Sequence, residues 1–254
     1  MNLYSAPLLV ISLFLIAVVS ERVIKYVLVL STILGLSEMA AGFILLSVAT
    51  SLPELSVSVV AALIGEGGLS VGNVLGSNIA NLTIILGLAI LFSKMEILVK
   101  GESHKELVQF LFLSSIIPLF IVQRGSLGPV LGIVLLVLFI YFGITISRKT
   151  EKTRSTKSFQ KGHMVIVWLK FAVSVAIIIV LSKFIVDSSI DIAYDVGLPP
   201  SIIGATIVGL GTSLPELATT IQALKKKLFS VALGNLLGSC VTNITLILGV
   251  SSLI

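Results

Sequence analysis

Eight long apolar runs decide the solvent in which this chain folds. They fall at residues 3–20, 37–64, 70–92, 107–123, 127–146, 164–186, 198–224 and 229–254. Roughly 20 mostly apolar residues cross the hydrocarbon core of a bilayer as a helix, and only helices or closed barrels satisfy every backbone group there. Charged residues make up 11% of the chain, against about 25% in soluble domains. The runs therefore predict an all-α polytopic membrane protein of about eight spans, with the lipid bilayer as its surroundings. The single cysteine, Cys240, excludes a disulfide framework and a thiolate metal cluster. His104 and His163 both lie in polar stretches. No basic segment precedes the first run, so it reads as a retained span rather than a signal peptide. Residues 26–34 are also apolar and either extend the first helix or lie at the interface.

The net charge of +5 is a matter of topology, not of nucleic-acid binding. With the N-terminus outside, the inner loops hold Arg22, Lys25, Lys94, Lys100, Lys105, the stretch Arg148, Lys149, Lys152, Arg154, Lys157, Lys161, and then Lys225, Lys226 and Lys227. Lys170 lies near the inner end of its span, and only Arg124 and Lys183 remain outside, with Glu66, Asp187, Asp191 and Asp195. This bias is the positive-inside pattern of a cell-membrane protein. The basic stretch 148–163 is expected to be a cytoplasmic linker between a five-span N-terminal part, 1–147, and a C-terminal part, 164–254.

Those two parts are related by an internal repeat. A shift of 162 residues lays 35–92 over 197–254 without a gap, and 21 of the 58 positions are identical. Thr50-Ser51-Leu52-Pro53-Glu54-Leu55 falls on Thr212-Ser213-Leu214-Pro215-Glu216-Leu217. Gly72-Asn73, Leu75-Gly76-Ser77 and Asn81 fall on Gly234-Asn235, Leu237-Gly238-Ser239 and Asn243. Because five spans precede the linker, the second and seventh spans carry the same motif in opposite directions. Inverted repeats with broken helices at matching positions point to a secondary transporter with its site at the membrane midplane.

Of twelve acidic residues, only Glu54 and Glu216 lie deep inside apolar runs. A carboxylate there costs at least a few kcal/mol without a partner, and no lysine or arginine lies deep except Lys170, which can snorkel. An imported cation or a proton is the available partner. Pro53 and Pro215 have no N–H to offer the carbonyls of Ala49 and Gly211, which breaks each helix. Loosened carbonyls, the hydroxyls of Thr50, Ser51, Thr212 and Ser213, and one carboxylate per half are hard oxygen donors, suited to Ca2+ or Na+. Ser51-x-x-Glu54 also matches a capping box, which would orient Glu54 locally. In the second motif, Gly72-x-x-x-Gly76 and Gly234-x-x-x-Gly238 allow helices to approach closely. Ser77 with Asn81, and Ser239 with Asn243, lie one turn apart and share a face that either completes the oxygen shell or bonds neighbouring helices. Asn73 and Asn235 read as caps at a helix entrance, and Cys240, opposite Asn78 in the repeat, as a small packing residue.

At these residues the chain resembles the cation/calcium exchanger superfamily, in its prokaryotic sodium/calcium exchanger-like branch, whose two repeats carry G-T-S-L-P-E followed by G-N-x-x-G-S-N-x-x-(N/D). The resemblance implies ten spans in inverted five-span halves around a central site of four cation positions. It assigns ligand roles to Thr50, Ser51, Glu54, Ser77, Asn81, Thr212, Ser213, Glu216, Ser239 and Asn243, and adds the backbone carbonyls of Ser47 and Gly209. Three departures stand out. Ala49 replaces the first glycine of the motif and should stiffen that half-helix. Both repeats end in Asn, where one commonly ends in Asp, so one carboxylate fewer is present. Ile254 aligns with Phe92, so counterparts of the fourth and fifth spans are not in this sequence.

The expected function is an antiporter, not an enzyme, that exchanges Ca2+ for Na+ by alternating access, with H+/Ca2+ exchange as the alternative coupling. The transported ions are its substrates, and no cofactor is expected. An intramembrane polyprenyl-diphosphate phosphatase would need a cationic clamp on its phosphates, and neither motif has one nearby. Serine proteolysis would need a histidine base within a span. An inactive, shortened paralogue acting as an assembly partner is the remaining reading.

Overall fold

The computed structural model describes residues 4–34, 46–93, 128–149, 161–225 and 229–254, with Gln109, Phe112 and Ile116 as isolated positions. Most of the fourth apolar run and the middle of the basic linker lie outside the described residues. Among the described residues five helical stretches are long and apolar enough to cross a membrane: Ser5–Tyr26, Gly67–Leu91, Val165–Val196, Pro200–Lys225 and Val231–Ser251. Leu52–Leu63 and Pro129–Thr145 are shorter apolar helices.

Two long helices pack against each other. Helix α1, Ser5–Leu34, runs for 30 residues, about 45 Å at 1.5 Å per residue. Residues 26–34 thus extend the first helix. The second long helix, Lys161–Val196, has 36 residues and carries Asp187, Asp191 and Asp195 on its last three turns, which prolong the span. It stops in a Schellman turn: Gly197 adopts φ 72°, Leu198 N–H donates to Ala193 O at 3.0 Å and Gly197 N–H to Tyr194 O at 3.3 Å. Ser5 Oγ donates to Asp191 Oδ2 at 2.8 Å, so the start of α1 meets the end of Lys161–Val196 and the two run antiparallel. Leu9, Leu13, Ile16 and Val23 pack with Ile178, Leu181 and Ile185 in one buried cluster, which also takes in Val57 and Ala61. Val10, Phe14, Val173 and Val180 point outward, the face such helices turn to lipid.

The two motif-bearing pairs pack against these helices. In the first half α2, Ser47–Thr50, and α3, Leu52–Leu63, are followed by α4, Gly67–Ala80, and α5, Leu86–Ser93. A second Schellman turn reverses the chain between α3 and α4, with Gly65 at φ 84°, Glu66 N–H on Ala61 O and Gly65 N–H on Ala62 O. Helix α6 is Pro129–Lys149, and the long helix Lys161–Val196 is α7. The second half continues with α8, Pro200–Ile203, α9, Gly209–Thr212, α10, Leu214–Lys225, α11, Phe229–Thr242, and α12, Leu248–Ser251. Single π-helical turns join α4 to α5 at Asn81–Ile85, α8 to α9 at Gly204–Val208, and α11 to α12 at Asn243–Ile247.

The expected helix breaks are single residues. Ser51 interrupts the first motif at φ −82°, ψ 8°, and Ser213 the second at φ −80°, ψ 4°. Ser51 N–H still reaches Ser47 O and Leu55 N–H still reaches Ser51 O, so hydrogen bonds link the two short helices to the residue between them.

Close backbone contact ties α4 to α8 and α9. A Cβ placed on Gly72 would meet Ser201 O at 2.2 Å, one on Gly76 would meet Ala205 O at 2.2 Å, and one on Gly209 would meet Ser77 N at 2.8 Å. The glycine spacing of the first repeat therefore does what its sequence suggests. A Cβ on Gly234 meets nothing within 4 Å among the described residues. The pairings 72 with 201, 76 with 205 and 77 with 209 rise together, so α4 runs parallel to α8–α9. Since α3 is antiparallel to α4 across a three-residue turn, the two Thr-Ser-Leu-Pro-Glu motifs run in opposite directions.

Candidate functional site

Glu54 and Glu216 each stand one residue after the proline, in the first turn of α3 and α10. Both are fully buried, and among the described residues they are the only charged side chains that are. Each is bonded from the opposite half. Ser213 Oγ donates to Glu54 Oε1 at 3.2 Å, and Ser51 Oγ donates to Glu216 Oε1 at 3.3 Å. Ser239 Oγ adds a 3.2 Å bond to Glu216 Oε1.

The threonines follow the same reciprocal plan. Thr50 Oγ1 lies 3.3 Å from Asn235 Oδ1 and 3.2 Å from Ser239 Oγ. Thr212 Oγ1 lies 3.1 Å from Asn73 Oδ1 and 3.3 Å from Ser77 Oγ. The carbonyls of Ser47 and Gly209 sit in this network: Ser47 O accepts from Thr50 Oγ1, and Gly209 O from both Ser77 Oγ and Thr212 Oγ1. A pseudo-two-fold axis thus relates most of these contacts, Ser213–Glu54 to Ser51–Glu216 and Thr50 with Asn235 and Ser239 to Thr212 with Asn73 and Ser77.

The structure brings together the carboxylates, the four hydroxyls of the first motifs, Ser77 and Ser239. Asn81 and Asn243 are buried at the ends of α4 and α11, where the π-turns begin. Such turns recur at functional sites. Two readings need correction. Ser51 makes no side-chain bond to the start of α3, so the capping box does not form; its hydroxyl is spent on Glu216 instead. Asn73 and Asn235 are not caps, because α4 and α11 begin six residues before each. Asn73 Nδ2 donates to Glu54 O and to Ser58 Oγ while its oxygen accepts from Thr212. Asn235 Nδ2 donates to Thr219 Oγ1 at 3.0 Å. The spacing 73, 77, 81 (and 235, 239, 243) places all three on one helix face, a signal that the adjacent glycines masked.

Buried polar atoms nearly always find partners, and those without one call for an explanation. Glu54 Oε2, Glu216 Oε2, Asn81 Oδ1 and Asn243 Oδ1 are buried with no hydrogen-bond partner. Asn81 Nδ2 and the hydroxyls of Ser20, Ser70, Thr220 and Ser251 are likewise unpartnered; the four acceptors, two of them carboxylate, are of the kind that hard cations take. Among the described residues no three His, Cys, Asp or Glu side chains converge.

Inverted motifs with buried carboxylates fit a secondary membrane transporter rather than an enzyme. The comparison with known proteins agrees. The model of the sodium/calcium exchanger protein family matches residues 4–147 and 166–254, and the chain belongs to that family. It is 30% identical to the inner membrane protein YrbG of Escherichia coli, over 99% of this chain and 80% of that protein. It is also 30% identical to the sodium/calcium exchanger MaX1 of Methanosarcina acetivorans, over 92% of this chain and 78% of the relative. A solved structure of the sodium-calcium exchanger NCX_Mj superposes with a TM-score of 0.67 at 26% identity, covering all of this chain and 83% of that one.

Proposed function

We propose that this protein is a secondary antiporter that exchanges Ca2+ for Na+ across a cell membrane by alternating access. The ligands would be Glu54, Glu216, the hydroxyls of Thr50, Ser51, Ser77, Thr212, Ser213 and Ser239, the Asn81 and Asn243 oxygens, and the Ser47 and Gly209 carbonyls. The observation that carries this reading is the set of four unpartnered buried oxygens, two anionic and two neutral. Family membership and the name of the MaX1 relative support Ca2+ and Na+ as the cargo. The proposed orientation places the N-terminus outside and the basic linker 148–163 in the cytoplasm.

Charge limits the stoichiometry. Two carboxylates give the site a formal charge of about −2, which one Ca2+ or two Na+ would neutralise. A third Na+ would leave uncompensated positive charge in a low-dielectric site, where it is costly. Exchange in this protein therefore moves fewer charges than in relatives bearing an additional Asp. The test is Ca2+ uptake into proteoliposomes at imposed membrane potentials, with Na+ and pH gradients varied separately. Na+-driven uptake insensitive to potential is expected. Uptake driven only by a pH gradient would assign H+ coupling instead, and an electrogenic three-sodium cycle would overturn the charge argument.

A further inference from the structure

The repeat is least symmetric where its sequence differs beside the site. Position 78 is Asn in the first half, and its counterpart 240 is Cys in the second. Asn78 Nδ2 donates to the backbone oxygen of Cys240 at 3.1 Å. Asn243 Nδ2 donates to Asn78 Oδ1 at 2.9 Å. Fixing one end of a carboxamide fixes the other: with its nitrogen engaged, Asn243 turns its oxygen, which has no protein partner, away from Asn78. In the other half the residue beside Asn81 is Cys240, whose sulfur is only a weak acceptor, and neither end of the Asn81 carboxamide reaches a partner at hydrogen-bond geometry.

We propose that Asn78 is a positioning residue that holds Asn243 with its oxygen, rather than its NH2 group, presented to the transported cation, so that one of the two Asn ligands is pre-oriented and the other is not. The inference rests on the reading of Asn81 and Asn243 as ligands. It has a physical corollary. An Asp at 243 would place a carboxylate oxygen against Asn78 Oδ1 at hydrogen-bond distance, two acceptors without a proton between them. Asn78 would then have to turn over and release Cys240 O. Asn78 and Asn243 are therefore a matched pair, and Asn78 accompanies the neutral form of this ligand.

A cation gains from an oxygen that is already oriented, because the cost of ordering is removed from binding. The experiment is Na+-driven Ca2+ uptake by the full chain in proteoliposomes, with Ca2+ titrated to separate KM from maximal rate. Asn78→Cys, which installs the residue of the other half, should raise the Ca2+ KM about five- to tenfold, the worth of one hydrogen bond, with a much smaller change in maximal rate. The double variant Asn78→Cys with Cys240→Asn moves the orienting amide to Asn81 and should bring KM back towards the wild-type value. A role in packing alone would not be reversed by the exchange. Asn78→Ala replaces the cysteine variant if that does not insert. A wild-type KM in the position-78 variants, or a rise that the exchange leaves in place, would overturn the proposal. Glu54→Gln is measured alongside: if it is inactive while Asn78→Cys is normal, the positioning role alone fails. If Glu54→Gln transports fully, the site reading fails and the positioning role with it.

Discussion

Gly76→Ala tests whether backbone contact between the halves sets the geometry of the site. The added Cβ would lie 2.2 Å from Ala205 O and 2.6 Å from both Ala205 C and Cα, against at least 3.4 Å for ordinary contact. The three nearest atoms are all backbone, so α4 and α8–α9 must part by about 1 Å, an overpacking of about 1–3 kcal/mol. The next residue is Ser77, whose hydroxyl reaches Gly209 O at 3.2 Å and Thr212 Oγ1 at 3.3 Å. Both distances would pass beyond hydrogen-bond range with a shift of that size. The variant is expected to insert, to melt several degrees lower in detergent, and to lose most Ca2+ uptake while Glu54 and Glu216 are untouched. Gly87→Ala is the control: a Cβ there meets nothing within 4 Å, and Ala in place of Gly favours a helix interior by about 0.5–1 kcal/mol. Wild-type flux and melting temperature in Gly76→Ala, measured beside Gly87→Ala, would refute the argument that this contact holds the site together.

Glu54→Gln or Glu216→Gln should reduce Ca2+ uptake at least about 100-fold with normal insertion, read by flux and by size-exclusion profile; full transport by either removes that residue from the site. Gly211→Ala should be milder than Gly76→Ala, because the three atoms nearest its Cβ all belong to the Leu13 side chain, the first at 2.6 Å, and a side-chain tip can move. Restoration of its melting temperature by Leu13→Val would support that account, and a loss as large as that of Gly76→Ala would contradict it. Single cysteines introduced between 150 and 160 should react with an impermeant maleimide only from the cytoplasmic side, the native Cys240 being buried; labelling from outside would invert the topology.

The parts of the site legible in the sequence were those for which the membrane leaves few explanations. A carboxylate in an apolar run needs a partner, and its recurrence 162 residues later makes accident untenable, so Glu54 and Glu216 stood out before any coordinates. The offset establishes equivalence between residues but not contact between them. That Ser51 bonds Glu216 while Ser213 bonds Glu54 follows only from the way the inverted halves interlock. Asn73 and Asn235 were misplaced for a local reason: a Gly-Asn pair resembles a helix start, whereas α4 and α11 begin earlier, at Gly67 and Phe229. Helix continuation through 26–34 was also undetermined, since an apolar stretch next to Arg22 and Lys25 suits an interfacial segment equally well. The contact of Asn78 with Cys240 falls at a mismatch of the repeat, where identity between the halves carries no signal.

The reciprocal bonding also bears on why one site would serve two ions by turns. Each carboxylate is held by a serine of the opposite half, and its second oxygen has no protein partner. Closing the halves around such a site without a cation would bury charge of about −2 in a low-dielectric interior, where an unpaired ion costs several kcal/mol. A divalent ion or two monovalent ions would remove that cost equally, because the four open oxygens fix total charge and donor number rather than the identity of the cargo. Occlusion would then be favourable with either cargo and unfavourable without one, which is the condition for obligatory exchange rather than leak. Replacing Asn243 by Asp would change the balance in a defined direction. The fuller negative charge would favour the state with more bound cations, and the Asn78–Asn243 bond would be lost with it. The neutral pair of asparagines and the hydrogen bond that orients one of them therefore belong to a single electrostatic arrangement.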